Sequence, residues 1–442
     1  MKVSVVGIGH VGLTTAACLA HIGHDVLGVD DDAAKVEAVA AGEVPFHEPG
    51  LAELVREGLE TKRLSATSDS SVAAVHGDVV FVCVGTPTEQ TGRPDLAQVE
   101  RVAATIAASL DGYTVIAEKS TVPVGTGERI RRTIEERASR GAGFDVVSNP
   151  EFLQEGRAVR DTLEPTRIVV GAPSERAAQV MREVYRPIID ETGCPFVVTE
   201  LATAELVKHA SNAFLATKIS FINQVAEICD RTGADVETVA AAMGLDPRIG
   251  PDFLRAGIGY GGACFPKDIR AFRYTAEQLG VDFSLLAIVD QINESRRNAF
   301  VDKIRSALGD LEDKHVAIWG LAFKPETDDL RNAPAIAIAS RLLGQGARVT
   351  AHDPAAMTAA QQVLPEVTFV ADPYEAAREA HCLAICTEWE IYASADPAKL
   401  REVMARPVVV DGRNLLSPQE MAEAGFLYIG MGRPTVSGAA PE

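Results

Sequence analysis

Near its start the sequence runs from Val3-Ser4-Val5-Val6 directly into Gly7-Ile8-Gly9-His10-Val11-Gly12, and then into the apolar helical pattern Leu13 to Leu19. A short apolar strand that breaks at once into three spaced glycines and a helix leaves few ways to fold. The first glycine permits a tight turn, the second lets backbone approach a ligand closely, and the third lets the helix pack on the strand. The helix N-terminus then presents backbone N–H groups where a phosphate can sit. The segment predicts a βαβ unit opening a parallel sheet.

The same rhythm recurs along the chain. Apolar runs at Val3 to Val6, His24 to Val29, Asp78 to Val84, Tyr113 to Glu118 and Phe144 to Ser148 alternate with helical patterns. Strands that are apolar throughout, rather than at every second residue, belong to sheets covered on both faces. After about residue 313 the rhythm returns, with Val316 to Gly320, Ala347 to His352, Cys382 to Cys386 and Val408 to Val410. In between, Phe196 to Thr232 holds neither Gly nor Pro, and Glu200 to Arg231 is rich in Ala, Leu, Ile and Val at helical spacing. A single helix of about 30 residues would span on the order of 45 Å and act as a domain spacer or dimer seam, with two shorter helices as the alternative.

The expected fold class is therefore α/β, with two Rossmann-like, doubly wound parallel-sheet lobes joined by a helical domain around a long central helix. At 442 residues the chain exceeds what one core organises. The expected divisions are 1–196, 197–298 and 299–442. Residues from about Gly430 are small and polar and are expected to fray.

Composition excludes several classes of function. A formal charge of −20 repels nucleic acid and anionic membranes, so an anionic ligand must be held by local cations. Cys18, Cys83, Cys194, Cys229, Cys264, Cys382 and Cys386 are odd in number and lack CxxC spacing, which argues against a disulfide framework and a zinc site. No metal is expected. The start Met1-Lys2 runs straight into an apolar strand without a signal-like leader, and no apolar run approaches the roughly 20 residues of a membrane span. A cytoplasmic location is expected.

The glycine turn predicts a dinucleotide. A second strand, Asp25 to Val29, ends at Asp30, about 18 residues past Gly12, where an acid can take ribose hydroxyls. Asp30, Asp31 and Asp32 in succession would repel a 2′-phosphate, which favours NAD over NADP; Asp31 and Asp32 also suit a cap on the following helix. Two further strands end in Val84-Gly85-Thr86-Pro87-Thr88 and Glu118-Lys119-Ser120-Thr121-Val122-Pro123, at the carboxyl edge where ligands sit in such sheets.

The chemistry concentrates in Gly257-Ile258-Gly259-Tyr260-Gly261-Gly262-Ala263-Cys264-Phe265-Pro266-Lys267-Asp268. Four glycines before a cysteine let backbone wrap a ligand, and the helix start beyond favours the thiolate, so Cys264 is a candidate nucleophile. The opposing reading is a buried, inert thiol, which is how the other six cysteines read. Glu205, Lys208 and Asn212 share one face of the long helix, either to hold an oxyanion or as an exposed stripe with an ordinary Glu–Lys pair. Asn149-Pro150-Glu151-Phe152-Leu153-Gln154-Glu155-Gly156 offers two carboxylates four apart, one able to act as general base, or else a plain turn. Phe323-Lys324 and Arg413 follow second-lobe strands, and that lobe lacks GxGxxG, so a diphosphate other than the dinucleotide's is its natural guest.

Together GxGxxG, VGTPT, EKSTVP, NPEFLQEG, KHASN, GIGYGGACFPKD, GLAFKPETDD and DGRN, in this order over nearly the whole chain, resemble the UDP-glucose 6-dehydrogenase family. The resemblance implies a four-electron oxidation of a sugar C6 through aldehyde and cysteine thioester, with two NAD reduced per sugar. It implies Cys264 as nucleophile, Lys208 and Asn212 at the oxyanion, and Glu151, Thr121 and Asp268 positioning or activating water. It sets NAD against Gly7, Gly9, His10, Val11, Gly12, Asp30, Lys35, Val84, Gly85, Thr86, Pro87, Ser120, Thr121, Glu155 and Arg331. The nucleotide sugar would meet Glu151, Phe152, Leu153, Glu155, Lys208, Asn212, Arg255, Gly259, Tyr260, Gly261, Phe323, Lys324 and Arg413, with Arg248 reaching in from a partner subunit. A homodimer through the central helix is also implied. UDP-glucose is the expected substrate; dTDP-glucose, GDP-mannose or a UDP-N-acetylhexosamine would use the same groups. A thiol-independent dehydrogenase of small hydroxy acids and a non-enzymatic sensor are the readings from other classes.

Overall fold

A computed structural model of the chain describes residues 1–89, 91–139 and 142–438. It divides into two compact units, Met1–Ser211 with Arg270–Asp282, and Asn212–Ile269 with Phe283–Glu442. Each unit is built on one sheet.

The first sheet has eight strands in the order β3-β2-β1-β4-β5-β6-β7-β8. These are β1 (Lys2–Val6), β2 (Asp25–Val29), β3 (Leu64–Thr67), β4 (Val79–Val82), β5 (Tyr113–Glu118), β6 (Gly143–Ser148), β7 (Ile168–Gly171) and β8 (Phe196–Thr199). All neighbours are parallel except β6 and β7. Val3, Val5, Val79 and Phe81 enter the core on one face, while Val6, Val80 and Val82 enter the core on the other. Burial on both faces is why these strands are apolar throughout. The strand order reverses between β1 and β4, and the turn after β1 opens at that point, where such sheets receive ligands.

The second sheet has the order β11-β10-β9-β12-β13-β14-β15. Its strands are β9 (His315–Trp319), β10 (Arg348–His352), β11 (Thr368–Phe369), β12 (Cys382–Ile385), β13 (Val408–Asp411), β14 (Leu427–Ile429) and β15 (Val436–Ser437). The same two-faced burial holds, with Val316, Ile318, Cys382 and Ala384 on one side and Ala317, Trp319, Leu383 and Ile385 on the other.

The central segment forms one unbroken helix, Leu201–Thr232, of 32 residues. The division between the units falls within it, and a second division falls within the helix Phe265–Gln278. No helix among the described residues is long and apolar enough to cross a membrane.

The expectation of fraying from Gly430 is corrected as far as residue 438; residues 439–442 lie outside the described ones. Val436 pairs with Tyr428, Met431 is buried in the core, and the Gly432 N–H donates to Asp230 Oδ1 at 3.0 Å. Small residues serve close packing here rather than mobility. A Cβ on Gly432 would come within 2.5 Å of the Ala226 Cβ.

Candidate active site

The turn after β1 uses its glycines unequally. Gly7 has φ +91°, and a Cβ there would come within 2.8 Å of the Cys83 carbonyl oxygen; one on Gly12 would overlap the Gly7 carbonyl. A Cβ on Gly9 would meet nothing within 4 Å. The turn is thus tight where protein meets protein and open where a diphosphate needs bare backbone. Gly9 caps the helix His10–His21 with no side-chain bond, which leaves the first-turn amides uncapped by any side chain. Asp30 follows β2 and is almost buried. It accepts from the Ile8 N–H (2.9 Å) and the Asp32 N–H (3.0 Å), with the Lys35 ammonium at 3.4 Å. Asp32 caps the helix Ala33–Ala40, as its position suggested. These residues fit a dinucleotide with a free 2′-hydroxyl.

The loops after β4 and β5 are tied together. The Thr86 hydroxyl donates to the Thr121 carbonyl (2.8 Å), and the Ser120 hydroxyl donates to the Val84 carbonyl (2.8 Å). Val84, Gly85, Thr86, Pro87, Ser120 and Thr121 therefore form one surface at the carboxyl edge of the first sheet.

The opening turns of the long helix dock on this surface. Glu205 accepts from the N–H groups of Gly125 (2.6 Å) and Gly127 (2.7 Å), while the His209 imidazole donates to the Val122 carbonyl (2.8 Å). Burial raises the Glu205 carboxyl above the usual range against those donors. Lys208, between them, pairs with Glu151 at 2.9 Å, both side chains about 5% exposed, and its ammonium lies 5.6 Å from the centre of the Phe152 ring. The reading of an exposed stripe with a Glu205–Lys208 pair is therefore corrected. Each residue is buried and binds a segment far away in sequence. Glu151 also accepts from the Leu153 N–H (2.8 Å), so the NPEFLQEG segment is a built loop in which Glu155 is half-buried.

In the second unit, Cys264 is exposed directly before the helix Phe265–Gln278, and its carbonyl accepts from the Asp268 N–H at 2.8 Å. Burial pushes the thiols of Cys18, Cys83, Cys382 and Cys386 up to about 12 and raises that of Cys229, which keeps them protonated and inert. Asp268 is buried, accepting from the Asn212 amide at 2.6 Å, with the Lys267 ammonium at 2.9 Å. Cys264, Lys267, Asp268 and Asn212 thus share one neighbourhood.

The glycine loop before Cys264 is held by polar side chains. Asn223 accepts from the Gly257 N–H (2.8 Å), and Asn293 pairs with both the N–H (2.8 Å) and the carbonyl (3.0 Å) of Tyr260. Gly259, at φ +92°, has no room for a Cβ beside Asn293, and one on Gly262 would come within 2.8 Å of the Phe323 ring. The Arg413 guanidinium donates to the carbonyls of Cys386 (2.9 Å), Gly259 (3.2 Å) and Phe323 (3.2 Å), so it ties the glycine loop to the Phe323-Lys324 loop. Arg255 and Arg248 are exposed. Arg248 pairs with Asp246 at 2.7 Å rather than with the other named residues, and Arg331 pairs with Asp329 at 2.8 Å.

Three residues escaped the sequence reading. Lys267 stood in the Gly257–Asp268 segment without a role, although its spacing of one helical turn from Cys264 could have given it one. Lys119 is a buried ammonium bonded to Asn149 (3.2 Å) and Tyr185 (3.3 Å), inside a motif read only for its Ser and Thr. Glu48 carried no sequence signal. Among the described residues no group of His, Cys, Asp or Glu has the makings of a metal site.

Comparison with known proteins places these features. Residues 1–189 match the NAD binding domain of the UDP-glucose/GDP-mannose dehydrogenase family, 202–295 its central domain and 317–418 its UDP binding domain. The chain belongs to this family. It is an NAD-dependent oxidoreductase with a UDP-binding domain. It is 44% identical over 442 residues to UDP-glucose 6-dehydrogenase TuaD of Bacillus subtilis (strain 168), covering all of this chain and 95% of that protein. It is 45% identical over 438 residues to a UDP-glucose 6-dehydrogenase of Rhizobium meliloti (strain 1021), covering 98% and 100%. Among solved structures, a UDP-glucose dehydrogenase from the hyperthermophilic archaeon Pyrobaculum islandicum superposes with a TM-score of 0.91 at 40% identity, covering 98% of each chain.

Proposed function

We propose that this chain oxidises UDP-glucose to UDP-glucuronate, consuming two NAD and one water per sugar, with Cys264 carrying the sugar between the two oxidations. The observation that carries the thiol's role is its exposure at a helix start, where most of the other cysteines are buried and inert. NAD, when bound, would supply the hydride acceptor for C6 in each oxidation. The Cys264 sulfur adds to the aldehyde carbon, and after the second oxidation it holds the sugar as a thioester. Water then cleaves the C–S bond, which releases the carboxylate and restores the thiol.

The Lys208 ammonium and Asn212 amide, one turn apart on the long helix, steady the negative oxygen. Glu151, Thr121 and Asp268 position or activate the water. Gly7 to Gly12, Asp30, Lys35, Val84 to Pro87, Ser120, Thr121, Glu155 and Arg331 hold the cofactor. Glu151 to Leu153, Glu155, Arg255, Gly259 to Gly261, Phe323, Lys324 and Arg413 hold the nucleotide sugar. The segments 1–196, 197–298 and 299–442 divide this work into NAD binding, dimerisation with catalysis, and sugar-nucleotide binding. Identity of 44–45% with two UDP-glucose 6-dehydrogenases, over essentially their whole length, supports the choice of sugar.

The working form is a cytoplasmic homodimer joined along the long helix. Phe214 (66% exposed), Phe221 (52%) and Ile228 (61%) recur every seven residues there, an apolar stripe of the kind helices bury against a partner. Arg248 then reaches a second subunit.

Wild-type protein is expected to yield two NADH per UDP-glucose, and Cys264→Ala to bind NAD while making no uronate. One NADH per sugar, or full turnover by the variant, overturns the covalent route. The same titration with dTDP-glucose and GDP-mannose reads the choice of nucleotide, and sedimentation at assay concentration reads dimer or monomer.

A further inference from the structure

Glu48 lies in the turn Phe46-His47-Glu48-Pro49-Gly50, just ahead of the helix Leu51–Glu60. Its carboxylate side chain has no exposed surface. A carboxylate taken wholly out of water must be surrounded by donors, and the identity of these donors shows what it does. One is the His10 Nε2, at 2.7 Å from Oε2. The Gly156 N–H donates to the same oxygen at 2.7 Å, and the Ala158 N–H donates to Oε1 at 2.7 Å.

These donors come from two loops that are remote in sequence. His10 is the fourth residue of the glycine turn and the first of the helix His10–His21. Its ring also stacks on Phe46, with centroids 4.5 Å apart and planes at 25°, so the imidazole is held by both edge and face. Gly156, at φ +80°, closes the NPEFLQEG loop, and Ala158 begins the helix Ala158–Leu163. The same loop carries Glu151, paired with the Lys208 ammonium, and Glu155. One buried carboxylate is thus the common acceptor for the turn that fits a diphosphate and for the loop that presents two acids.

We infer that Glu48 is a positioning residue that ties the glycine turn to the Glu151–Glu155 loop, so that cofactor binding at the turn sets the geometry of the acidic loop. The inference rests on the NAD and UDP-glucose reading for what the two loops hold. The bridge demands a carboxylate. All three partners are donors, and an amide in its place would turn an NH2 against a backbone N–H. Shape is kept and one acceptor is lost.

The test compares wild type with Glu48→Gln as full-length protein, by NAD titration and by amide hydrogen exchange with and without NAD. In wild type, amides 154–158 are expected to exchange slowly and to slow further when NAD binds. Glu48→Gln is expected to weaken NAD binding about tenfold or more, since small displacements of positioned groups have effects of that size. Its 154–158 amides are expected to exchange fast whether or not NAD is present. Wild-type NAD affinity in Glu48→Gln, or wild-type exchange at 154–158 that ignores NAD, overturns the inference. Should Glu48→Gln not fold, His10→Phe keeps the stack on Phe46 and removes only the Nε2 donor. It is expected to abolish the effect of NAD on 154–158, and its retention overturns the inference. These readouts need no sugar, so an inactive wild type would refute the UDP-glucose reading while leaving the bridge to stand or fall on its own.

Discussion

The two sheets share one strand order over seven strands, with β8 added at the edge of the first, and build different turns on it. Each first strand ends in a glycine at φ +91°, Gly7 after β1 and Gly320 after β9, whose N–H donates to the carbonyl that ends the neighbouring strand. In each, an acid follows the second strand. Asp30 meets two backbone N–H groups and Lys35. Asp353, wholly buried after β10, accepts from the N–H groups of Leu321, Ala322, Ala355 and Ala356 and from the Trp389 indole, at 2.7–3.2 Å.

The difference lies in the length of the turn. In the first sheet the helix begins at His10, three residues past Gly7, and its N-terminus opens directly off the turn with no side-chain cap, as an anion site requires. In the second, the helix Pro334–Leu343 begins only after an excursion that carries Phe323 and Lys324, and Asp353 secures the root of that loop. The acid that meets two amides and a lysine beside the glycine turn in one sheet is, in the other, the five-donor anchor of a loop.

A third pair of positions extends the contrast. The last residue of the fifth strand in each order is a buried acid, Glu118 on β5 and Asp411 on β13. Asp411 accepts from the N–H groups of Arg413 and Leu416 and from the Tyr428 hydroxyl. Burial pushes the Glu118 carboxyl up to about 8 despite the opposing pull of Ser120.

The largest effect is expected from Asp353→Ala, which strands five donors and should lower unfolding free energy by on the order of 5 kcal/mol in a urea titration. If it costs no more than Asp30→Ala, the contrast in roles is broken. Next is Glu118→Gln. A carboxyl raised from 4.5 to about 8 in the fold is protonated there, so its stabilising contribution is complete below pH 4.5 and is lost as pH rises through 8. The glutamine variant should match wild type in unfolding free energy near pH 4 and exceed it at pH 9 by several kcal/mol. Asp411→Asn is expected to destabilise at both pH values. Equal pH profiles for wild type and Glu118→Gln would show that Glu118 is solvated after all. The smallest effect is expected from Asp30→Ala, about 1 kcal/mol of stability but roughly tenfold in NAD affinity, read by calorimetry. A larger stability loss with unchanged affinity would make Asp30 scaffolding too.

What the sequence disclosed follows from where the determining contacts lie. β1, β2, β4, β5 and β6 were legible because burial on both faces leaves an unbroken apolar run. β8 escaped: it is a short edge strand in which Val197 and Val198 are 44% and 47% exposed, and its pairing with β7 comes from tertiary structure. β11, β14 and β15 have two or three residues each, too few for a periodic signal. The Gly7–Gly12 turn and the glycine-rich approach to Cys264 could be read because glycine spacing is a local backbone demand. Glu205 and Lys208 could not be distinguished from a surface stripe, because the groups that bury them, Gly125, Gly127 and Glu151, lie 57 to 80 residues away. Glu48 was hidden in the same way.

The stitching of Gly432 to Asp230, with the Val236 N–H donating to the Gly432 carbonyl, bears on how the protein is made. The first sheet has all its strands once Thr199 has left the ribosome, whereas the other sheet and the far end of the long helix await residues up to Ser437. During that interval the helix offers its unfilled Ala226 surface to whatever is nearby, so slow translation or a nick in this stretch would leave nascent chains open to chaperones and to one another.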